Sequence, residues 1–245
     1  MKSSILASIL VLCAATANAF SLDLTSPGAV GVIDGAIFQQ VDPLGTGSGA
    51  IDSFVRIQET GTEQGYNTSG GTPFDTKSGQ ADGKNFTHDV QLGDIPVVGD
   101  YRAFLLDINE TGGSGETLSL FSLQFFLRPT GGATTENLAD FGTPVWSLDR
   151  LTDNVIELLN NSGSGAGDML AYIPNSVFAG ASEDSYLILY SAFGSPNPSD
   201  DGYEEWATVE RAPVPPVVPE PGTMMLLGCG LFVATLYSKR RMTAV

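Results

Sequence analysis

The sequence predicts an all-β domain, an antiparallel β-sandwich or jelly roll, for most of this 245-residue chain. Three observations support this prediction. Short runs rich in β-branched and aromatic residues recur along the chain, clusters of Gly, Ser, Asn, Asp and Pro separate them, and long amphipathic helical patterns are missing. Many short strands joined by such turns are typical of two packed antiparallel sheets.

Ten runs are predicted to be strands, because each alternates apolar with polar residues or is dominated by side chains that favour strands. In chain order they are 36–41, 51–58, 86–92, 101–108, 118–127, 145–148, 155–159, 169–173, 186–193 and 205–209. The run 118–127 is the most apolar, so we expect it to be a central strand that is covered on both faces. Gly-rich and Ser-rich clusters between the runs supply the turns.

Residues 20–211 form one predicted domain, a length that suits a single core. Both cysteines, Cys13 and Cys229, lie in the terminal segments outside it, so the domain cannot use disulfides. The formal net charge of the chain is −17. Such an acidic protein repels nucleic acid and anionic lipid surfaces, and we expect no nucleic-acid partner.

The amino terminus predicts export. Lys2 precedes an apolar stretch, 5–15, and Ala17 and Ala19 form the small-x-small pattern that signal peptidase accepts. Residues 1–19 are therefore predicted to be a signal peptide, and the mature chain should begin at Phe20.

The carboxyl terminus predicts a membrane tether in several parts. Residues 212–217 are rich in proline and should form a semi-rigid stalk. A Val-Pro-Glu-Pro-Gly-Thr motif at 218–223 precedes an apolar segment, 224–237, that is predicted to be a transmembrane helix. A helix from Thr223 to Tyr237 would span about 22 Å against a hydrocarbon core of about 30 Å, so it is short. Three cations then favour a cytoplasmic end and act as a stop: Lys239, Arg240 and Arg241.

The ordered motif, apolar helix and basic stub of 218–241 resemble the PEP-CTERM sorting tail of Gram-negative bacteria, which is the substrate signal of exosortases. The resemblance implies that Pro219, Glu220 and Pro221 are the recognition motif. It also implies cleavage nearby, with the inner membrane and the exosortase as transient partners. The protein would then be released or re-attached outside. The alternative is an ordinary single-pass anchor behind a proline-rich stalk.

Several body segments, including 54–58, 104–110 and 187–194, together resemble a recurrent ectodomain type attached to such tails. That resemblance implies no catalytic residue. His88 is the lone histidine, no nucleophile elbow or cysteine accompanies it, and we expect an ordinary strand residue there. A zinc site is excluded because it needs several His or Cys ligands. A phosphate-binding loop is excluded because the sequence has no Gly-x-x-x-x-Gly-Lys motif. We therefore expect no catalytic, cofactor or metal residues of these kinds.

Carboxylates leave two further interpretations open. A pair of Asp or Glu can hydrolyse glycosides, and the acidic cluster 200–206, which ends at Trp206, could form a sugar-binding catalytic edge. The alternative is a solvated loop with Trp206 in the core. Carboxylates also bind calcium, for which the candidate loops are 82–85, 149–154 and 200–205, although none matches the Asp-x-Asp-x-Asp-Gly loop.

Two function classes follow. The first is an exported, non-enzymatic surface or extracellular-matrix protein, structural or adhesive in the envelope or biofilm. The second is a carbohydrate-binding module or a carboxylate-based glycosidase of β-sandwich fold, for which extracellular polysaccharide would be the partner.

Overall fold

A computed structural model describes residues 20–41, 52–81, 84–110, 116–161, 167–209 and 212–218. Over these residues the chain forms strands and three short 3-10 turns, and no α-helix. The all-β prediction is confirmed. The strands are β1 Phe20–Asp23, β2 Val30–Ile33, β3 Ala36–Gln40, β4 Ser53–Ile57, β5 Thr60–Gly61, β6 Glu63–Tyr66, β7 Gln80–Ala81, β8 Lys84–Asn85, β9 Val90–Gln91, β10 Val97–Val98, β11 Tyr101–Asn109, β12 Thr117–Arg128, β13 Trp146–Ser147, β14 Asn154–Leu159, β15 Met169–Pro174, β16 Tyr186–Phe193, β17 Ser199–Asp200 and β18 Tyr203–Thr208.

Two large sheets make up the fold. The first has the order β1-β14-β12-β16-β6, with β13 on β12 and β9 on β16. The second has the order β2-β3-β15-β11-β18-β4, with β10 on β11. The strand pairs are antiparallel, as predicted, except that β1 runs parallel to β14. Two small ribbons, β17-β5 and β7-β8, lie outside these sheets.

The main core lies between the two sheets. Phe104 of β11 and Phe125 of β12 meet across it with ring centroids 5.0 Å apart. Trp206 of β18 is fully buried there, and its indole N–H donates to Ser191 Oγ of β16 at 3.0 Å. Because these contacts join strands of different sheets, the fold is a β-sandwich.

The central strand β12 is covered on both faces, which confirms the prediction for 118–127. Leu120 and Phe125 face the main core, although they stand an odd number of residues apart. A register shift between Leu120 and Ser122 explains this, since a bulge moves the following side chains to the other face. On the outer face, Phe126 packs against a second apolar cluster with Phe141 of the 3-10 turn Leu138–Phe141.

A third apolar cluster covers the outer face of the second sheet and includes Tyr172 of β15. Ala212 and Val218, from the segment predicted to be a stalk, pack against it. The Tyr172 hydroxyl donates to the Pro213 carbonyl at 3.0 Å. Residues 212–218 therefore lie along the sheet, while Val217 between them is exposed.

The structure differs from the predicted strands in places. Of the run 86–92, the strand β9 covers Val90–Gln91 alone, and His88 lies in the preceding loop, where Asn85 O is 2.8 Å from its Nδ1. The expectation of a strand residue at His88 is therefore wrong.

No helix in the described part of the chain is long and apolar enough to span a membrane. The predicted transmembrane segment 224–237 lies outside the described residues.

Candidate functional site

Three glutamates meet inside one end of the sandwich. Glu63 begins β6 in the first sheet, whereas Glu204 in β18 and Glu110, directly after β11, belong to the second. Their exposed fractions are 1%, 0% and 6%, respectively. We call this group the glutamate cluster. It connects the two sheets through acidic side chains at one end of the apolar core.

The alternation of each strand explains why these side chains point inward. On β11 the residues Phe104, Leu106 and Ile108 face the main core, and Glu110 continues the same series. On β18, Glu204 lies two residues before the buried Trp206 and therefore shares its face. The pattern that builds the core thus also places these two carboxylates between the sheets.

Two glycines allow the loops to close over the cluster. Gly194 has φ +104°, and a Cβ there would collide with the Gly61 carbonyl. A Cβ at Gly202 would collide with the Asn109 carbonyl. Because backbone approaches backbone at both places, only glycine fits without a shift, and the cluster stays shielded from solvent.

The glutamate cluster is poor in hydrogen-bond donors. Glu63 Oε2 accepts from the backbone N–H of Glu59 at 2.7 Å, and Glu110 Oε2 accepts from that of Asp200 at 2.8 Å. Within the cluster, the side chain of Glu63 is hydrogen-bonded to those of Glu204 and Ser199, and Glu204 is also hydrogen-bonded to Glu110. Two carboxyl groups can bond to each other in this way only when one of them keeps its proton and donates it.

Burial raises the pKa of all three carboxyl groups. It raises that of Glu110 to about 8. Burial also raises the pKa of Glu204 well above the ordinary glutamate value, and the adjoining Glu63 and Glu110 raise it further. For Glu63 the effect of burial outweighs hydrogen bonds that lower the pKa. The physical cause is shared, because like charges in a poorly solvated space favour the neutral acids.

A further buried acid, Asp168, lies just before β15. Its carboxylate accepts from the backbone N–H groups of Ile108 and Asn161, each at 2.7 Å. Burial raises the pKa of Asp168 to about 7, because it outweighs these two hydrogen bonds, and the nearby Asp107 adds to the rise.

The predicted acidic cluster 200–206 divides between two faces of β18. Trp206 lies in the core, as the alternative interpretation expected. Glu205 points the other way and bonds to Arg56 at 2.8 Å, and Arg56 stacks between the rings of Phe86 and Tyr203. Since Glu204 is fully buried, it does not form an open edge with Trp206 for a sugar.

The other predicted calcium loops show no ligand cage. Asp149 Oδ1 accepts from the backbone N–H of Asn154 at 2.8 Å, which closes the turn on itself. Of the candidate loop 82–85, residues 82–83 lie outside the described residues. Across the described ranges, no group of three or more His, Cys, Asp and Glu side chains could hold a metal ion.

An open cleft of about 700 Å³ lies at the opposite end of β11 from the glutamate cluster. Asp34, Tyr101, Arg150 and Asn175 line it. Arg150 and Asp34 form a two-point pair, with Nη2 to Oδ1 at 2.7 Å and Nε to Oδ2 at 2.6 Å. Planar polar groups beside an aromatic ring can bind hydroxyl-rich ligands.

The predicted sorting and processing residues lie outside the described part of the chain. They are Ala17, Ala19, Pro219, Glu220, Pro221, Lys239, Arg240 and Arg241. Sequence reasoning, in turn, missed Glu63 and Glu110 as partners of Glu204. For Glu110 a signal exists, since it continues the inward series of β11, but β6 was not predicted as a strand.

Comparison with known proteins identifies the tail. A family model described as the PEP-CTERM protein-sorting motif matches residues 217–241, which confirms the resemblance and is consistent with an exosortase substrate. No curated protein matches the chain. Among solved structures, the chain is similar to an endo-1,4-β-glucanase, a cellulase in its native structure. The sequence identity is 16%, and the alignment covers 77% of this chain and 99% of that one. The TM-score is 0.22, which is too low to support a conclusion about this chain.

Proposed function

We propose that this chain, which carries a PEP-CTERM sorting motif at residues 217–241, works outside the cell without catalysis, as a structural or adhesive component of the envelope or biofilm. Signal peptidase would remove residues 1–19 in a Gram-negative host. The tail would then hold the body briefly in the inner membrane until an exosortase cuts near Pro219, Glu220 and Pro221. The body would remain at the surface or in the matrix.

The state of the carboxylates supports the absence of catalysis. A glycosidase needs two carboxyl groups that flank a substrate in an accessible groove. In the region where the sequence suggested such a pair, Glu204 is fully buried and Glu205 is held by Arg56. The acidic groups there are thus engaged in the fold and do not face a substrate.

A triple substitution of the sorting motif tests the delivery. Changing Pro219, Glu220 and Pro221 to alanine in the full chain should leave an uncut protein in the inner membrane, because the exosortase loses its recognition residues. The parent should appear outside without its tail. Mass spectrometry of the carboxyl terminus in each cell fraction distinguishes the two.

A matched control is available in the same region. Changing Pro213, Pro215 and Pro216 to alanine removes three prolines just before the motif and should leave processing intact. Equal processing of the parent and the motif variant would contradict the proposal.

The open cleft favours a second candidate function, the binding of extracellular polysaccharide. The cleft offers the ring of Tyr101 and the charged pair of Asp34 and Arg150 on one open surface. Sugar hydroxyls suit such planar polar groups, and sugar rings stack on aromatic side chains. This function is compatible with an adhesive role.

Replacing Tyr101 with alanine should weaken polysaccharide binding about tenfold or more, as expected for the loss of one stacking aromatic anchor. A glycan array followed by calorimetry on the full chain measures the effect. Tyr203→Ala is the control, because Tyr203 is a partly exposed tyrosine remote from the cleft. Absence of glycan binding by the parent would exclude this second candidate.

A further inference from the structure

Residues 212–218 form a strap on the outer face of the second sheet. The two ends of the strap, Ala212 and Val218, pack against the third apolar cluster. Between them, Val214 and Val217 are exposed by 81% and 97%, respectively. The body therefore holds this segment in place while two apolar side chains of the segment face the surroundings.

The sheet on which the strap lies has no charge over three neighbouring strands. β2, β3 and β15 are adjacent in the second sheet, and their sequences Val-Gly-Val-Ile, Ala-Ile-Phe-Gln-Gln and Met-Leu-Ala-Tyr-Ile-Pro contain no Asp, Glu, Lys or Arg. The strap, Ala-Pro-Val-Pro-Pro-Val-Val, contains none either. We call the outer side of these three strands, together with the strap, the uncharged face. It contrasts with a chain whose formal net charge is −17.

The strap also fixes where the chain leaves the body toward the membrane. Val218 lies on the second sheet, and the predicted transmembrane segment begins at residue 224. The residues between them are 219–223, and an extended chain covers at most about 3.6 Å per residue, which gives roughly 20 Å. A body anchored by this tail therefore stays within roughly 20 Å of the bilayer, and the tether leaves from the uncharged face.

We propose that the uncharged face is a docking surface for the membrane, on which Val214 and Val217 contact a lipid surface of zwitterionic headgroups. The inference rests on the part of the proposed function that anchors the tail in the inner membrane. Exposed apolar side chains gain free energy when they enter the boundary between headgroups and acyl chains. A face without carboxylates also avoids the repulsion that the acidic chain as a whole has toward anionic lipids.

Docking in this way gives the body a defined orientation. The second sheet lies toward the bilayer and the first sheet away from it. The sorting motif, which directly follows the strap, is then kept at the bilayer surface, where a membrane enzyme can reach it. A free stalk would instead hold the body away from the membrane in no fixed orientation.

Fluorescent labels at two matched glutamines test this orientation. Gln39 of β3 shares the outer face of the second sheet with Ile37, and Gln124 of β12 shares the outer face of the first sheet with Phe126. The full chain, with both cysteines replaced by serine, carries Gln39→Cys or Gln124→Cys. It is exported in a host without an exosortase, purified uncut and placed in phosphatidylcholine nanodiscs that carry spin-labelled headgroups. The label at position 39 should lose most of its fluorescence, whereas the label at position 124 should keep it.

Substitutions in the strap test whether the valines cause the docking. Val214→Asp together with Val217→Asp should reduce the quenching at position 39 to the level at position 124, because two charges would have to enter the bilayer boundary. Val214→Ile together with Val217→Ile is the matched control and should keep the quenching. Both side chains are exposed, so neither pair of changes disturbs the core.

The possible outcomes separate the docking from the anchoring. Equal quenching at the two labelled positions in an inserted chain would overturn the docking and leave the anchoring intact. A chain that does not enter the discs would contradict the anchoring in the proposed function and the docking with it. Two chains per disc with neither label quenched would assign the uncharged face to a second copy and overturn the assignment to lipid.

Discussion

The free energy of unfolding should fall as the pH rises from about 5 to about 8. Folding raises the pKa of Glu110 to about 8 and that of Asp168 to about 7, from ordinary values of 4.5 and 3.8. The folded chain therefore binds more protons than the unfolded chain throughout this window, so stability is lost with rising pH. Each such group contributes a slope of up to about 1.4 kcal/mol per pH unit.

Urea titrations at several pH values measure this slope, and two variants show which groups cause it. Glu110→Gln and Glu204→Gln should flatten it, because the amide cannot lose a proton and keeps the shape of the acid. Glu205→Gln is the matched control, because it changes the adjacent carboxylate on the other face of β18, where that group is paired with Arg56. A free energy of unfolding that is constant or increases between pH 5 and 8 would show that the buried acids do not titrate as stated.

The sequence predicts a strand well when the strand's own apolar residues are enough to show that it is buried. The central strand β12 is an example, because its apolar residues identify it whatever its neighbours are. β6 was not predicted, since its sequence Glu-Gln-Gly-Tyr has no apolar alternation. It forms because β16 offers a partner, with Tyr190 opposite Tyr66 and Phe193 opposite Glu63. Such pairing is a property of the tertiary fold, and no local pattern contains it.

The candidate site shows the same difference between what a local sequence pattern predicts and what depends on the tertiary fold. The sequence singled out the segment that contains Glu204, because acidic residues cluster there. It could not show that Glu204 and Glu205 have opposite surroundings, although strand alternation gives them opposite faces once β18 is placed. Glu63 is far away in sequence and becomes a neighbour only when the two sheets pack. Convergence of carboxylates therefore needed the structure.

The tail and the body differ in what their sequences reveal. A sorting signal is read as a linear segment, so Pro219, Glu220 and Pro221 can be identified without a fold, and the family match over 217–241 agrees. The candidate sites of the body are assembled from side chains of several strands. Its two cysteine-free sheets are joined by the apolar core and by polar links at each end of β11, which are the glutamate cluster at one end and Arg102 at the other.

Replacing Arg102 with methionine should lower the free energy of unfolding by about 3 kcal/mol or more, because three hydrogen-bond acceptors lose their donor. Arg102 is 3% exposed, and its guanidinium donates to the Ile95 carbonyl at 2.7 Å and to Asn175 Oδ1 at 2.9 Å. It also donates to the Leu92 carbonyl. Methionine fills similar space but leaves these acceptors unpaired, and each buried unpaired acceptor costs about 1 to 3 kcal/mol. Urea unfolding followed by tryptophan fluorescence measures the loss, since Trp146 and Trp206 are both buried.

The ion pair of Arg102 with Glu183 contributes little to this expected loss, because the Glu183 side chain is 64% exposed and stays solvated without its partner. Arg150→Met tests this reasoning as a control. Arg150 also pairs with a carboxylate, that of Asp34, but its side chain is 60% exposed, so we expect little change in stability. Arg102→Lys should lie between the parent and the methionine variant, since one ammonium cannot reach all the carbonyls that the guanidinium binds. If Arg102→Met unfolds at the same urea concentration as Arg150→Met, burial of the Arg102 network does not stabilise this end of the sandwich.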